Sequence, residues 1–251
     1  MPETLEILYR DEALVAVHKP SGLLTHKTDI DRHETRFAVQ ILRDQIGQKV
    51  WPAHRLDKGT SGILLFALSA DLAATIGRQF EAGSVDKTYQ AIVRGHPPLH
   101  GRIDHPLSRQ RDAYEGRLEH ASEEAQAAIT DYRRLATVEL PIAVERYPSS
   151  RYAHLELTPH TGRKHQLRRH LKHIAHPIIG DATYGKGRHN RMFAEHFGCQ
   201  RLLLCCTHLA IDHPLDGRRL QMTTPPADDF TDVVAQLPWL RDINQGRSEK
   251  P

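Results

Sequence analysis

His54-Arg55-Leu56-Asp57-Lys58-Gly59-Thr60-Ser61-Gly62-Ile63-Leu64-Leu65-Phe66-Ala67 reads as a polar turn that runs straight into a buried strand. Glycines and hydroxyl residues let the first half turn, and the unbroken apolar run of the second half asks for cover on both faces. Ser69 follows as an N-cap, with Leu72, Ile76 and Phe80 on one helical face and Gly83 beyond the end. The order is therefore turn, strand, helix, with the carboxylate of Asp57 at the lip of the strand. Such a residue can edge a cleft, although an aspartate taken alone more often sits in a surface ion pair.

Outward from this stretch the pattern continues. Leu14-Val15-Ala16-Val17 is a short strand stopped by Lys19-Pro20-Ser21-Gly22, and Phe37, Ala38, Ile41, Leu42 and Ile46 fall at helical spacing. Thr88 to Val93 and Ala153 to Leu157 predict two more strands, the second alternating apolar and polar residues. Residues 96 to 128 are rich in charge, proline and glycine and predict a long exposed excursion. Phe230, Val233, Val234 and Leu237 predict a last helix over 229 to 240, and 241–251, with no apolar periodicity, reads as a disordered tail.

A 251-residue chain with 39% hydrophobic content can bury a sizeable core, and no apolar run is long enough to span a bilayer. Three cysteines, with no Cys-x-x-Cys spacing, fit a reducing cytoplasm better than a disulfide framework. The net charge of +3 is too small to prove a polyanionic partner, so the distribution of the cations matters more than their total.

That distribution is uneven. From Thr161 to Ile174 the chain reads Thr-Gly-Arg-Lys-His-Gln-Leu-Arg-Arg-His-Leu-Lys-His-Ile, without one acidic residue. After Gly162 a helical period puts Leu167, Leu171 and Ile174 on one side and Lys164, His165, Arg168, Arg169 and Lys172 on another. A basic face is often merely solvated, but one with no interspersed acid favours a phosphate-bearing partner. Arg168 borders the apolar stripe and can also reach inward to a buried carboxylate. The histidines at 165, 170, 173 and 176 do not share a face in a zinc-binding spacing, and neither a phosphate-binding loop nor a dinucleotide fingerprint is present. Tyr89 reads first as a strand aromatic, and its ring could also stack on an unstacked base.

These segments, in this order, resemble the bacterial RluA-type pseudouridine synthases. The matching text is Val17-His18-Lys19-Pro20-Ser21-Gly22-Leu23-Leu24-Thr25-His26, then His54-Arg55-Leu56-Asp57 with Thr60-Ser61-Gly62, and then Lys87-Thr88-Tyr89. It continues with Thr161-Gly162-Arg163-Lys164-His165-Gln166-Leu167-Arg168 and His176-Pro177-Ile178-Ile179-Gly180-Asp181. The likeness implies an α+β fold, a mixed and largely antiparallel sheet with flanking helices and a central catalytic cleft. One catalytic domain is expected over residues 1–240, without the small S4 domain of several relatives.

The resemblance also implies a cofactor-free, metal-free isomerase that converts uridine to pseudouridine in RNA. Carried over residue by residue, Asp57 is the catalytic carboxylate, Arg168 pairs with it and Tyr89 lies against the flipped base. His54, Arg55, Arg163, Lys164, His165 and Arg169 are the expected contacts to RNA or base. Asp57 could attack the sugar at C1′ or assist a glycal route, and an ionised carboxylate suits either.

Asp44-Gln45-Ile46-Gly47-Gln48, Arg146-Tyr147-Pro148-Ser149-Ser150-Arg151-Tyr152 and the doubled Arg168-Arg169-His170-Leu171 point within the family to the branch acting on uridine 65 in the T stem of tRNA. The expected partner is thus tRNA, met by a monomer in the cytoplasm, away from any membrane. The alternatives are the branch acting on rRNA or another tRNA uridine, and a non-catalytic RNA-binding module. One departure stands out: Cys205-Cys206 replaces the usual His-Ala after Arg201-Leu202-Leu203-Leu204, which puts any role of that histidine in doubt.

Overall fold

The apolar runs form strands and the 3.6-residue patterns form helices. In the computed structural model, which describes residues 3–26, 34–108 and 124–241, the chain opens with the hairpin β1 (Glu6–Arg10) and β2 (Leu14–Lys19), followed by α1 (Ala38–Ile46) and β3 (Trp51–Pro52). Next come β4 (Ser61–Ala67), α2 (Ala70–Ala82), β5 (Asp86–Arg94), β6 (His100–Asp104), β7 (Leu107–Ser108), β8 (Ala125–Gln126), β9 (Ile129–Leu140) and β10 (Ser150–Pro159). The last part contains α3 (Gln166–His173), α4 (Gly187–Phe197), β11 (Leu204–Asp212), β12 (Arg219–Thr223), α5 (Asp228–Gln236) and β13 (Leu240–Arg241).

The main sheet runs β1-β2-β4-β11-β5-β10-β9-β13, with β12, β3 and β6 attached to β11, β4 and β9. Among the described residues β4 and β11 are its one parallel pair. The fold is therefore α+β with a mixed, largely antiparallel sheet, as the resemblance implies. All seven residues of β4 are buried, which accounts for its unbroken apolar text. β10 keeps its alternation, burying Ala153, Leu155 and Leu157, and pairs directly with β5. Ser69 caps α2 by accepting the Leu72 N–H at 3.2 Å.

Two expectations change. Residues 96 to 128 are not simply an exposed excursion. β6 pairs with β9, Ile103 and Leu107 are buried, and β7 pairs with β8, while 109–123 lie outside the described residues. The apolar content there was too sparse to signal strands that add to an existing sheet edge. The basic helix begins at Gln166, so Lys164 and His165 precede it. β13 pairs with β9 and ends at Arg241, and residues 242–251 of the expected tail lie outside the described residues. No helix among the described residues is long and apolar enough to cross a membrane.

Gly62 sits where the Asp57 turn enters β4. Its φ is +105°, and a Cβ there would lie 2.1 Å from the Cys206 carbonyl oxygen on the parallel neighbour β11. Gly62→Ala is expected to lower stability by about 3 kcal/mol or more. The check is a fall in the urea midpoint at unchanged m.

Candidate active site

The turn that carries Asp57 is held from below by the Lys19-Pro20-Ser21-Gly22 turn. Gly22 N–H donates to the Lys58 carbonyl at 2.8 Å, and Ser21 Oγ to the Gly59 carbonyl at 2.7 Å. Lys19, fully buried, donates from Nζ to the carbonyls of Pro20, Leu23 and Lys58 at 2.9, 2.7 and 3.3 Å. Burial, reinforced by the Arg201 charge, lowers its pKa to about 7 against the opposing pull of Asp57. Nothing in the sequence reading joined this segment to the Asp57 turn; one of the Lys19 acceptors, the Lys58 carbonyl, is 39 positions away.

Leu167 and Leu171 seat α3 on the sheet, in one cluster with Ala91, Leu155 and Leu157. This turns Arg168 toward Asp57. Arg168 Nη1 donates to Asp57 Oδ2 at 3.2 Å, while its Nε and Nη2 form a fork on both oxygens of buried Asp181 at 2.8 and 2.9 Å. The inward reach of Arg168 is as expected from its place beside the apolar stripe. Asp181 was missed as its partner: it appeared only inside a motif, and nothing in the text says that a carboxylate 13 residues on folds back.

Burial opposes the Arg168 charge, but the hydrogen bonds and charge of Asp181, with those of Asp57, raise its pKa overall. Burial would push Asp181 up, yet Arg168 and the N–H groups of Tyr184 and Thr183 hold it below the usual carboxylate range. The Tyr184 ring packs against the guanidinium, 5.0 Å from its centroid, and its hydroxyl lies 3.0 Å from His165 Nδ1.

His165 stands in the left-handed region at φ 55°, an uncommon conformation for a residue with a side chain. It brings Nε2 to 3.8 Å from Asp57 Oδ1. Burial lowers its pKa, with Arg168 and Lys164 adding to the effect and Asp57 opposing it. Asp57 thus meets the fixed cation of Arg168 and an imidazole biased toward its neutral form.

Two cavities meet at this cluster. Asp57, His165 and Arg168 line both, one of about 970 Å³ and one of about 740 Å³, the size range of ligand sites. The smaller holds Tyr89, Leu204 and His54, with Arg55, Arg163 and Lys164 also on its walls. His54 accepts the Leu65 N–H at 3.1 Å on Nε2 and stacks on Phe80, and burial drops its pKa to about 3. It is a neutral wall rather than a cation.

Tyr89 is half-buried on β5 opposite Cys206 of β11. Burial, together with the charge and hydrogen bond of the Cys206 thiol and the charge of Asp57, holds its phenol pKa well above the ordinary value. Burial also pushes the Cys206 thiol up to about 12. Cys205 faces the other way, in a cluster with Ile92, Phe193 and Phe230. The Cys-Cys departure therefore divides: Cys205 is core, and Cys206 touches the tyrosine.

The cationic face read from the sequence also divides. Arg168 turns inward, Arg169 donates to Ser108 and Arg163 to the Ala127 carbonyl. Of the histidines in and after this segment, His170 lies buried between Thr130 and the His105 carbonyl, and His176 lies against the Arg94 carbonyl. No group of three potential metal ligands is gathered among the described residues.

The family model described as RNA pseudouridylate synthase matches residues 13–173. The chain is 48% identical over 241 residues to tRNA pseudouridine synthase C of Pasteurella multocida, covering 96% of this chain and 98% of that protein. It is 50% identical over 235 residues to tRNA pseudouridine synthase C of Vibrio vulnificus, covering 94% and 96%. The solved structure of Human RNA Pseudouridylate Synthase Domain Containing 4 aligns with a TM-score of 0.69 at 27% identity, over 94% of each chain. Since the matched segment spans Asp57, Tyr89 and Arg168, and the likeness to these relatives extends over nearly all of the chain, this chain belongs to the RNA pseudouridylate synthase family.

Proposed function

We propose that the chain isomerises uridine to pseudouridine in tRNA, at uridine 65 at the foot of the T stem, with Asp57 as the reacting carboxylate. The observation that carries this reading is the Asp57 carboxylate at the junction of two cavities, hydrogen-bonded by Arg168, in a chain so similar to proteins named tRNA pseudouridine synthase C.

The reaction breaks the N1–C1′ bond, turns the uracil and forms a C5–C1′ bond; C5 loses a proton and N1 gains one, so the balance is redox-neutral. Asp57 either bonds to C1′ or assists the glycal route. The guanidinium of Arg168, itself forked onto Asp181, sets the direction of the carboxylate. The uracil fits the smaller cavity, where Tyr89 presents a protonated phenol and Leu204 an apolar surface. Flipping a paired uridine costs a few kcal/mol, which cationic contacts to the neighbouring phosphates offset. Arg55 and Lys164 on the wall of this cavity suit that task. The same reading makes the enzyme a cytoplasmic monomer, a compartment that suits its three free cysteines.

The test is isomerisation of an unmodified tRNA transcript, of the same transcript with cytidine at position 65, and of rRNA fragments. Pseudouridine is expected at position 65 of the first and nowhere in the others. Product in rRNA, or at another position of tRNA with 65 unchanged, would overturn the assignment of the substrate.

A further inference from the structure

Between β6 and β9 the short strands β7 and β8 pair in a two-stranded sheet of their own, here called the root. The root lies against α3. Arg169 donates from Nη1 to the Ser108 carbonyl and from Nη2 to the Ser108 hydroxyl, both at 3.0 Å. Just after β8, the Ala127 carbonyl accepts from Arg163 Nε at 3.1 Å. Below them His170 Nε2 donates to the His105 carbonyl at 3.0 Å, and the rings of His105 and His173 stack with centroids 3.7 Å apart.

Successive residues on a helix point about 100° apart, so the doubled arginine serves two neighbours. Arg168 holds the carboxylates and Arg169 holds the β7–β8 root. We infer that Arg169 is a positioning residue: it fastens the β7–β8 root to the helix that carries Arg168, and so sets the cavity wall to which Arg163 belongs, instead of neutralising an RNA phosphate. This rests on the reading that the cleft receives tRNA. The guanidinium fork matches a carbonyl and a hydroxyl of one residue, a pair that the single ammonium of lysine does not span in the same way.

The experiment measures the Kd for unmodified tRNA against salt concentration, with KM and kcat, for Arg169→Lys, Arg169→Gln, Ser108→Ala and the Ser108→Ala/Arg169→Lys pair. Both arginine variants are expected to weaken binding alike, by roughly tenfold, at an unchanged salt slope and with more of the loss in KM than in kcat. Ser108→Ala weakens binding too, and in the pair it adds little to Arg169→Lys, because the two residues form one contact. A phosphate contact behaves otherwise: Lys keeps the affinity, Gln lowers the salt slope by about 0.7 to 0.9, and Ser108→Ala does nothing. That pattern would overturn the proposal.

Hydrogen exchange decides the fastening without RNA. The amides of β7 and β8 are expected to exchange faster in Arg169→Lys while those of β5 and β10 keep wild-type protection; unchanged exchange in β7 and β8 refutes the fastening. Failure of the wild-type protein to bind tRNA would refute the tRNA reading instead, with the exchange result still deciding the contact.

Discussion

Replacing Asp57 by asparagine is expected to slow single-turnover isomerisation by at least about 10⁴-fold while tRNA affinity stays near wild type. The Asp57 side chain is a quarter exposed and sits where both cavities meet, so an amide of the same size fits without repacking. Its Oδ1 can still accept from Arg168, and Asp181 still holds the guanidinium. What disappears is the anionic oxygen that either route requires. The measurements are a quenched single-turnover assay on unmodified tRNA and a parallel binding titration. Residual isomerisation within about a hundredfold of wild type would remove Asp57 from the chemistry; loss of binding together with the rate would make its role one of structure.

Arg168→Met is expected to abolish detectable turnover and also to destabilise the fold, by about 3 to 5 kcal/mol near neutral pH. The methionine leaves Asp181, whose side chain has no exposed surface, without its counter-charge. The pH dependence identifies the cause. In the wild type Arg168 and the Thr183 and Tyr184 N–H groups hold the folded-state pKa of Asp181 below its unfolded value; that contribution is present above the unfolded pKa and is lost only as the pH falls through the lower folded one. It is therefore flat between pH 5 and 8.

Without the guanidinium, burial dominates and raises the Asp181 pKa in the fold above its unfolded value. The folded variant then binds the proton more tightly than the unfolded chain does, so its stability rises as the pH falls. The deficit relative to wild type should shrink from pH 8 to pH 5 in urea unfolding. A deficit independent of pH would mean that lost packing, rather than an orphaned carboxylate, explains it. Arg168→Met/Asp181→Leu, which removes both charges, should recover much of the stability and none of the activity.

Much of this molecule was legible in its sequence, for local reasons. The apolar run Ile63–Ala67 of β4, the Ser69 cap and the Gly83 stop of α2 are short-range signals, and each is found where the text placed it. Phase along α3 anticipated that Leu167 and Leu171 go inward and that Arg168 stands beside them. The same phase argument overextended the helix to Lys164, because His165 breaks it in the left-handed region, where a histidine is uncommon and periodicity carries no warning.

By itself the sequence determined β2, α1, β4, α2, β5, β10, α3 and α5, the ordered motifs that carry Asp57, Tyr89 and Arg168, and the absence of acidic residues in the basic segment. These depend on side-chain size, period and charge within about a dozen residues. Only the tertiary structure decided how the cations are used. Arg168 meets Asp57 across 111 positions, Arg169 meets Ser108 across 61, and Tyr89 meets Cys206 through the pairing of β5 with β11. Such partners are chosen by sheet register and by the seating of one helix, which come from burying apolar surface across the whole chain. A guanidinium at the edge of an apolar stripe can serve a phosphate, a carboxylate or a carbonyl, and what the fold sets beside it determines which.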